Sequence, residues 1–174
     1  MKNKTEKVIF KKLNLKKDIT TKYQNWMNDP KINEYTEQDH KKHSLNDIRK
    51  FVRDKNKSKK DFLYGIFIKK DNSNIHIGNM KLGPIDSTHK SARISYFIGE
   101  KKLWGKGYAT LAIKELTKKA KKKGLKKLKA GLYEVNIGSK KALVKNGYKL
   151  EGKLKSEIYF QGKRIDLCLF GKIL

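Results

Sequence analysis

After a charged start, a short apolar run at residues 7–13, KVIFKKL, predicts a first strand. From Asp18 the apolar positions change period. Ile19, Tyr23, Trp26 and Met27 share one face of a helix reaching about Asn28, with Asp18 as its N-cap and Pro30 just past its end. A polar loop carrying Glu34, Tyr35 and Thr36 leads to a second helix. There Ser44 is the N-cap, Asp47 its capping-box partner, and Leu45, Ile48, Phe51 and Val52 form the inward stripe.

Three strands follow: FLYGIFIKK (62–70), IHIGNMKLG (75–83) and SARISYFIG (91–99). Asp71-Asn72-Ser73-Asn74 supplies turn chemistry, and Gly83-Pro84 with Asp86-Ser87 a second turn. Short connections between consecutive strands predict an antiparallel meander. Tyr108 to Lys123 reads as a helix with Ala109, Ala112, Ile113, Leu116 and Ala120 inward. Lysines from Lys118 onward complement its negative end, and Gly124 stops it. A strand LKKLKAGLY (125–133) and a short helix GSKKALVKN (138–146), ended by Gly147, come next. The chain closes as a ribbon, YKLEGKL with SEIYFQGKRIDLCLF, hinged at Gln161-Gly162. The order β-α-α-β-β-β-α-β-α-β-β predicts an α+β fold around one central sheet. Without repeats or a Pro- or Gly-rich linker, residues 1–174 read as a single domain.

Composition changes this picture little. No run of about 18 apolar residues predicts a membrane helix, and the charged start lacks the apolar core of a secretory signal. The one cysteine, Cys168, cannot form an internal disulfide and sits in the apolar IDLCLF, where it reads as a small buried hydrophobe. A cytoplasmic setting is the expectation. The formal net charge of +27 invites a nucleic-acid reading. However, the excess is almost all lysine, with Arg49, Arg53, Arg93 and Arg164 the only arginines. Lysine spread over every solvated face differs from the concentrated arginine patches of nucleic-acid readers. The field still favours anionic ligands.

The chemistry concentrates at Tyr96–Leu111, YFIGEKKLWGKGYATL. A strand ends, glycines flank Lys106, and a helix begins. Amides at such a helix start are unpaired and sit at the positive dipole end, a site for phosphate or pyrophosphate. Gly105 and Gly107 remove the Cβ atoms that would block approach. Lys102 and Lys106 add charge at the rim. The spacing is neither the GxGxxG dinucleotide fingerprint nor a P-loop.

KLWGKGYATLAI followed by YEVNIGSKKALVKNGYKLEG resembles the GNAT superfamily of acetyl-CoA-dependent N-acetyltransferases. Lys102-Leu103-Trp104-Gly105-Lys106-Gly107 matches its (Q/R)-x-x-G-x-(G/A) loop, and Asn136, Ser139, Gly147 and Tyr148 match its N-x-x-S…GF element. The closing LEGKLKSEIYFQGKRIDLCLF, with WMNDPKINEYTEQ and HIGNMKLGP, is similar to the RimJ/RimL-like branch. The resemblance spans nearly the whole chain. It implies a mixed, mostly antiparallel twisted sheet with helices on both faces, whose fourth and fifth strands splay apart. Pantetheine would lie in that gap against Phe97, Ile98 and Gly99. The amides of Leu103, Trp104, Gly105, Lys106, Gly107, Tyr108 and Ala109 would hold the pyrophosphate, with Asn136, Ser139 and Lys140 on the far side. The implied reaction is direct acyl transfer from the thioester to a primary amine. It needs an oxyanion donor, expected at the N–H near Ile98, and a proton for the leaving thiolate, expected from Ser139.

The sequence departs from the family pattern in three places. Lys102 stands where glutamine or arginine is usual. Leu143 stands where many members carry a tyrosine that protonates the thiolate. Arg93 falls near the place of a common activating glutamate, so no general base is identified. Arg93 reads either as a solvated strand residue or as a guanidinium gripping an anionic group on the acceptor. The second reading favours an acceptor such as an amino-sugar nucleotide, with a ribosomal-type protein N-terminus as the rival. Tyr35 is a candidate for acceptor contact. Trp26 is expected in the core, Trp104 beside the loop, and Glu100 too near the phosphates to be the base. His40, His43, His76 and His89 show no metal-ligand spacing, so no metal is expected. Two other readings stand beside the enzyme: a lysine-coated nucleic-acid-binding module, and a relative that binds acetyl-CoA without catalysis. The sequence leaves monomer and homodimer open.

Overall fold

A computed structural model describes residues 7–36, 42–70 and 73–174. His40 and the turn residues Asp71 and Asn72 lie outside the described residues. Among the described residues seven strands form one sheet: β1 (Val8–Lys11), β2 (Phe62–Lys70), β3 (Ser73–Asp86), β4 (Ser91–Ile98), β5 (Lys127–Tyr133), β6 (Lys149–Phe160) and β7 (Lys163–Ile173). Their order across the sheet is β1-β2-β3-β4-β5-β7-β6. Every neighbouring pair is antiparallel except β4 and β5, which run parallel.

Alternation along the strands sends apolar residues to both faces, and each face carries its own helical layer. On one face α4 (Tyr108–Lys122) and α5 (Ile137–Lys145) cover a core of Ile66, Ile77, Met80, Leu82, Ile113, Leu116, Leu128 and Phe170. On the other, α1 (Thr21–Met27), α2 (Pro30–Asn33) and α3 (Leu45–Lys57) pack Tyr23, Trp26, Ile48 and Val52 against Leu63 and Phe67. Trp26 and Cys168 are buried, as expected.

Local chemistry explains where the elements end. Ser44 and Asp47 form the full capping box of α3: the Ser44 hydroxyl accepts from the Asp47 N–H and Asp47 accepts from the Ser44 N–H. Lys119 and Lys123, near the C-terminal end of α4, lay their ammoniums over Tyr64 and Phe62 at 5.1 and 4.1 Å.

Five expectations change, the first at Phe51, which leaves the inward stripe of α3 and stands 47% exposed with the Lys55 ammonium 5.6 Å over its ring. Thr20, not Asp18, caps α1, because Asp18 is turned back to accept from the Asn14 N–H. Pro30 opens the extra short helix α2, whose N-cap is Asp29, since a proline fits the first helical position. Gly83-Pro84 lies inside a longer β3 as a cis peptide beside a register shift, and the turn falls at residues 87–90. Finally, α5 starts one residue early, at Ile137, because Asn136 caps it.

Candidate active site

The parallel ladder between β4 and β5 is short. Ser91, Ala92 and Arg93 pair with Lys127, Leu128 and Lys129, and the strands carry no ladder beyond that point. Residues 94–98 and 130–133 therefore border an open wedge at the C-terminal ends of both strands. In the antiparallel pairing with β3, the Gly99 N–H donates to the Ile77 carbonyl at 2.8 Å, and Phe97 faces Asn79 in the same register. Antiparallel alternation then turns the peptides of Phe97 and Gly99 toward β3 and those of Tyr96 and Ile98 toward the wedge. Of the three residues expected to offer backbone there, Ile98 does so, and Tyr96 joins it. Gly99 is glycine for another reason: a Cβ would sit 2.1 Å from Cδ2 of Trp26.

Past the wedge the chain makes a 3-10 turn, Lys101–Leu103, and enters α4 through Gly105 and Gly107, at φ +74° and +85°. Both angles lie in the left-handed region, and a Cβ at either position would meet nothing within 4 Å. The niche above the helix start is thus open rather than filled by the protein's own side chains. Gly107 caps α4 without a side chain, and the first turn holds no acidic residue. The Leu103 and Trp104 amides are used inside the turn, donating to Glu100 and Lys101 carbonyls at 2.8 and 3.0 Å. The row of outward donors accordingly narrows from 103–109 to its glycine end. There the amides of Gly105, Gly107 and Ala109 have no acceptor among the described residues. Uncapped amides at the positive end of a four-turn helix suit a diphosphate. The Trp104 indole N–H donates to the Ile98 carbonyl.

The opposite wall is the start of α5. The Asn136 side chain accepts from the Ser139 N–H at 3.0 Å, so the N-x-x-S spacing is an N-cap and its third helical residue. This holds Ser139 half-buried at the helix mouth, while Lys140 is exposed. Glu100 carries no free carboxylate for proton abstraction: it pairs with Lys22 at 2.7 Å and, more loosely, with Lys102 at 3.8 Å.

On the other face of the wedge three aromatic rings meet. Tyr35 lies 5.7 Å from Phe160 and 6.4 Å from Tyr133, and Tyr133 lies 5.8 Å from Phe160. The Gln161 amide at the tip of the β6–β7 hairpin reaches Glu34 at 3.5 Å, bridging the same gap. Burial, then the neighbouring Glu34 carboxylate, raises the Tyr35 phenol above its ordinary pKa. Sequence alone does not pair Tyr133 with Phe160, because their strands come together only through β7. Arg93 is exposed, on the same face as Phe97 by strand alternation. It sits beside Lys129 at the closed end of the wedge. Among the described residues, no group of His, Cys, Asp and Glu is placed to hold a metal, and no helix is long and apolar enough to cross a membrane.

This wedge, glycine turn and capped serine occupy positions that coincide with a known sequence family. The acetyltransferase (GNAT) domain profile matches residues 7–149. The chain belongs to the GNAT acetyltransferase family. It is therefore an acyltransferase. Solved structures of the same fold include the microcin C7 self-immunity acetyltransferase MccE in complex with acetyl-CoA and AMP. That protein is 22% identical over 97% of this chain and 93% of its own, with a TM-score of 0.81. The spermidine N-acetyltransferase of Vibrio cholerae in complex with CoA and spermine is 18% identical over 96% and 95%, at 0.83. RimL, a ribosomal L7/L12 alpha-N-protein acetyltransferase in complex with coenzyme A, is 18% identical over 98% and 95%, also at 0.83. No curated protein matches the chain by sequence.

Proposed function

We propose that this acetyltransferase transfers the acetyl group directly from acetyl-CoA to a primary amine, with the two substrates entering the wedge from opposite faces. The observation that carries the reading is the coincidence of an open β4–β5 wedge with an uncapped α4 start. The diphosphate rests on the amides of Gly105, Gly107 and Ala109, with Lys102 and Lys106 at the rim. Pantetheine runs along Tyr96 and Ile98, and Asn136, Ser139 and Lys140 line its far side. Trp104 and Tyr108 support this turn. In the transition state the Ile98 N–H faces the developing oxyanion, and Ser139 gives a proton to the departing sulfur. No carboxylate stands where Arg93 does, so the amine loses its proton to solvent.

The acceptor enters past Tyr35, Tyr133 and Phe160. Arg93 and Lys129, adjacent in the ladder, form a cationic floor for an anionic group on the acceptor, as in an amino-sugar nucleotide. The complex of MccE with AMP gives this reading a nucleotide precedent within the fold. A second reading, a cationic amine, is favoured by the three rings with Glu34 beside them. A peptide N-terminus is the third member of the set, in line with RimL.

Calorimetry with acetyl-CoA tests the donor side: binding in the micromolar range is expected, and its absence overturns the assignment. A thiol-release screen with amino-sugar nucleotides, spermidine and ribosomal N-terminal peptides tests the acceptor. Turnover of spermidine alone would retire the anionic reading.

A further inference from the structure

Three consecutive residues leaving β4, Gly99, Glu100 and Lys101, each meet the corner formed by α1 and α2. The Trp26 indole lies on Gly99, where a Cβ would come within 2.1 Å of it. Lys22 reaches the Glu100 carboxylate at 2.7 Å. Lys101 reaches Oδ2 of Asp29 at 2.5 Å. Asp29 uses its other oxygen differently: Oδ1 accepts from the Lys31 and Ile32 N–H groups at 2.9 and 3.3 Å and so caps α2. Lys101 opens the 3-10 turn that leads to Gly105 and Gly107, whereas α2 leads to Glu34 and Tyr35. One carboxylate therefore joins the glycine turn to the wall proposed for the acceptor.

The corner is itself tied together. The Asn33 amide nitrogen, on a residue only 3% exposed, lies 2.8–3.1 Å from the carbonyls of Trp26, Met27 and Asp29, so α2 is held to the end of α1. The bond from Lys101, the largest effect on it, holds the Asp29 carboxyl below its ordinary pKa, so the pair is charged at neutral pH. Ion pairs as exposed as this one add little to folding stability, and its consequence lies in what it joins.

We infer that Asp29 is a positioning residue for the acceptor wall: through Lys101 it carries occupancy of the acetyl-CoA turn to Glu34 and Tyr35. The inference rests on the acetyltransferase reading above. A diphosphate on the amides of Gly105, Gly107 and Ala109 fixes the turn that Lys101 begins. The ion pair passes that constraint to the N-cap of α2. Of the three contacts, those of Trp26 and Lys22 end on α1, and the one at Asp29 enters α2 directly. By linkage, an acceptor that orders Glu34 and Tyr35 tightens donor binding by the same factor.

Hydrogen exchange tests this without knowledge of the acceptor. The amides of Ile32, Asn33 and Thr36 are all hydrogen-bonded within the corner and report on it. Saturating CoA should slow them about fivefold in the wild type, together with Gly105, Gly107 and Ala109. Asp29→Asn keeps an oxygen to cap α2 but gives up the charge, and Lys101→Met removes the partner. In both variants the slowing at α2 should fall below about twofold, while the slowing at the glycine turn and the urea midpoint persist. Lys101→Arg, which keeps the pair, should respond as the wild type does. A variant at Asp29 or Lys101 whose α2 amides exchange faster overall, yet answer CoA by the wild-type factor, shows a cap with no coupling and overturns the proposal. A wild type in which CoA slows the glycine turn alone overturns it by itself. Failure of CoA to bind the wild type in calorimetry overturns the acetyltransferase reading and this proposal with it.

Discussion

The indole N–H of Trp104 donates to the carbonyl of Ile98 at 2.8 Å. The bond ties the turn before α4 to the last residue of β4, coupling the glycine turn to the wedge-facing strand. Trp104 is 44% exposed, so the ring contributes little core energy and the bond is its main role. Trp104→Phe should raise the acetyl-CoA Kd about three- to tenfold, the effect of losing one net hydrogen bond of about 1 kcal/mol. The urea midpoint should barely change. Unchanged affinity in calorimetry would show that the bond does not hold the loop.

Gly107 separates two effects. Its φ of +85° strains any side chain, but a Cβ there meets nothing within 4 Å. Gly107→Ala should therefore cost about 1–2 kcal/mol in unfolding free energy and still bind acetyl-CoA. Gly107→Glu adds a carboxylate at the donors proposed for the diphosphate. It should abolish binding, with a stability loss similar to that of alanine. Equal affinities for the two variants would refute the placement.

Gly99 makes the opposite case. It reads as a cofactor residue in the sequence, yet its missing Cβ makes room for Trp26, whose indole carbons would lie 2.1–2.5 Å away. Gly99→Ala should destabilise the protein by about 1–3 kcal/mol through overpacking. Urea unfolding checks this, and a neutral substitution would mean the indole is free to shift.

These contrasts show what one dimension carries. Caps and turns are local, so Ser44 with Asp47 and the Gln161-Gly162 hinge are legible directly. The N-x-x-S spacing is legible as a motif, and its geometry as Asn136 capping Ser139 follows from helix periodicity. Strand alternation fixes which side chains share a face, but not which peptides turn toward a neighbour. That depends on the register of β4 with β3, which turns the peptide of Tyr96, rather than those of Phe97 and Gly99, toward the wedge. The meeting of Tyr35 with Phe160 joins positions 125 residues apart in the chain, beyond the reach of any local pattern. The lysine excess, which suggests nucleic acid when read as a total, says little about the site. There individual lysines do different work: Lys22 and Lys102 neutralise Glu100, and Lys101 pairs with Asp29.

Replacing Arg93 tests the proposed anionic acceptor. It lies beside Lys129 where β4 and β5 are still zipped, below the wedge. Arg93→Ala should raise KM about tenfold or more for an amine carrying a phosphate or carboxylate, from loss of a charge-assisted pair. The KM for acetyl-CoA and kcat should stay within about twofold. Equal effects on both substrates would remove Arg93 from the acceptor side.

His76 should make stability fall on mild acidification. Its ring is stacked on Phe67, and Nε2 lies 2.9 Å from both the Gly78 carbonyl and the Asn79 Oδ1. Two acceptors require Nε2 to carry the hydrogen, so the neutral ring already satisfies them. Burial, the dominant effect, lowers the folded pKa below the ordinary 6.5. The bonds to Asn79 and Gly78 and the charge of Asp18 oppose the shift, and Lys22 adds to it. The unfolded chain therefore takes up a proton near 6.5 that the folded protein still refuses. Stability is fully present above that pH and declines as pH falls toward the folded pKa, by at most about 1.4 kcal/mol per pH unit for one proton. Urea midpoints measured from pH 7.5 to 5.5 should drop steadily. His76→Gln, whose amide can donate to the same oxygens without titrating, should flatten the decline. A variant that tracks the wild type across this window would show that another group is responsible.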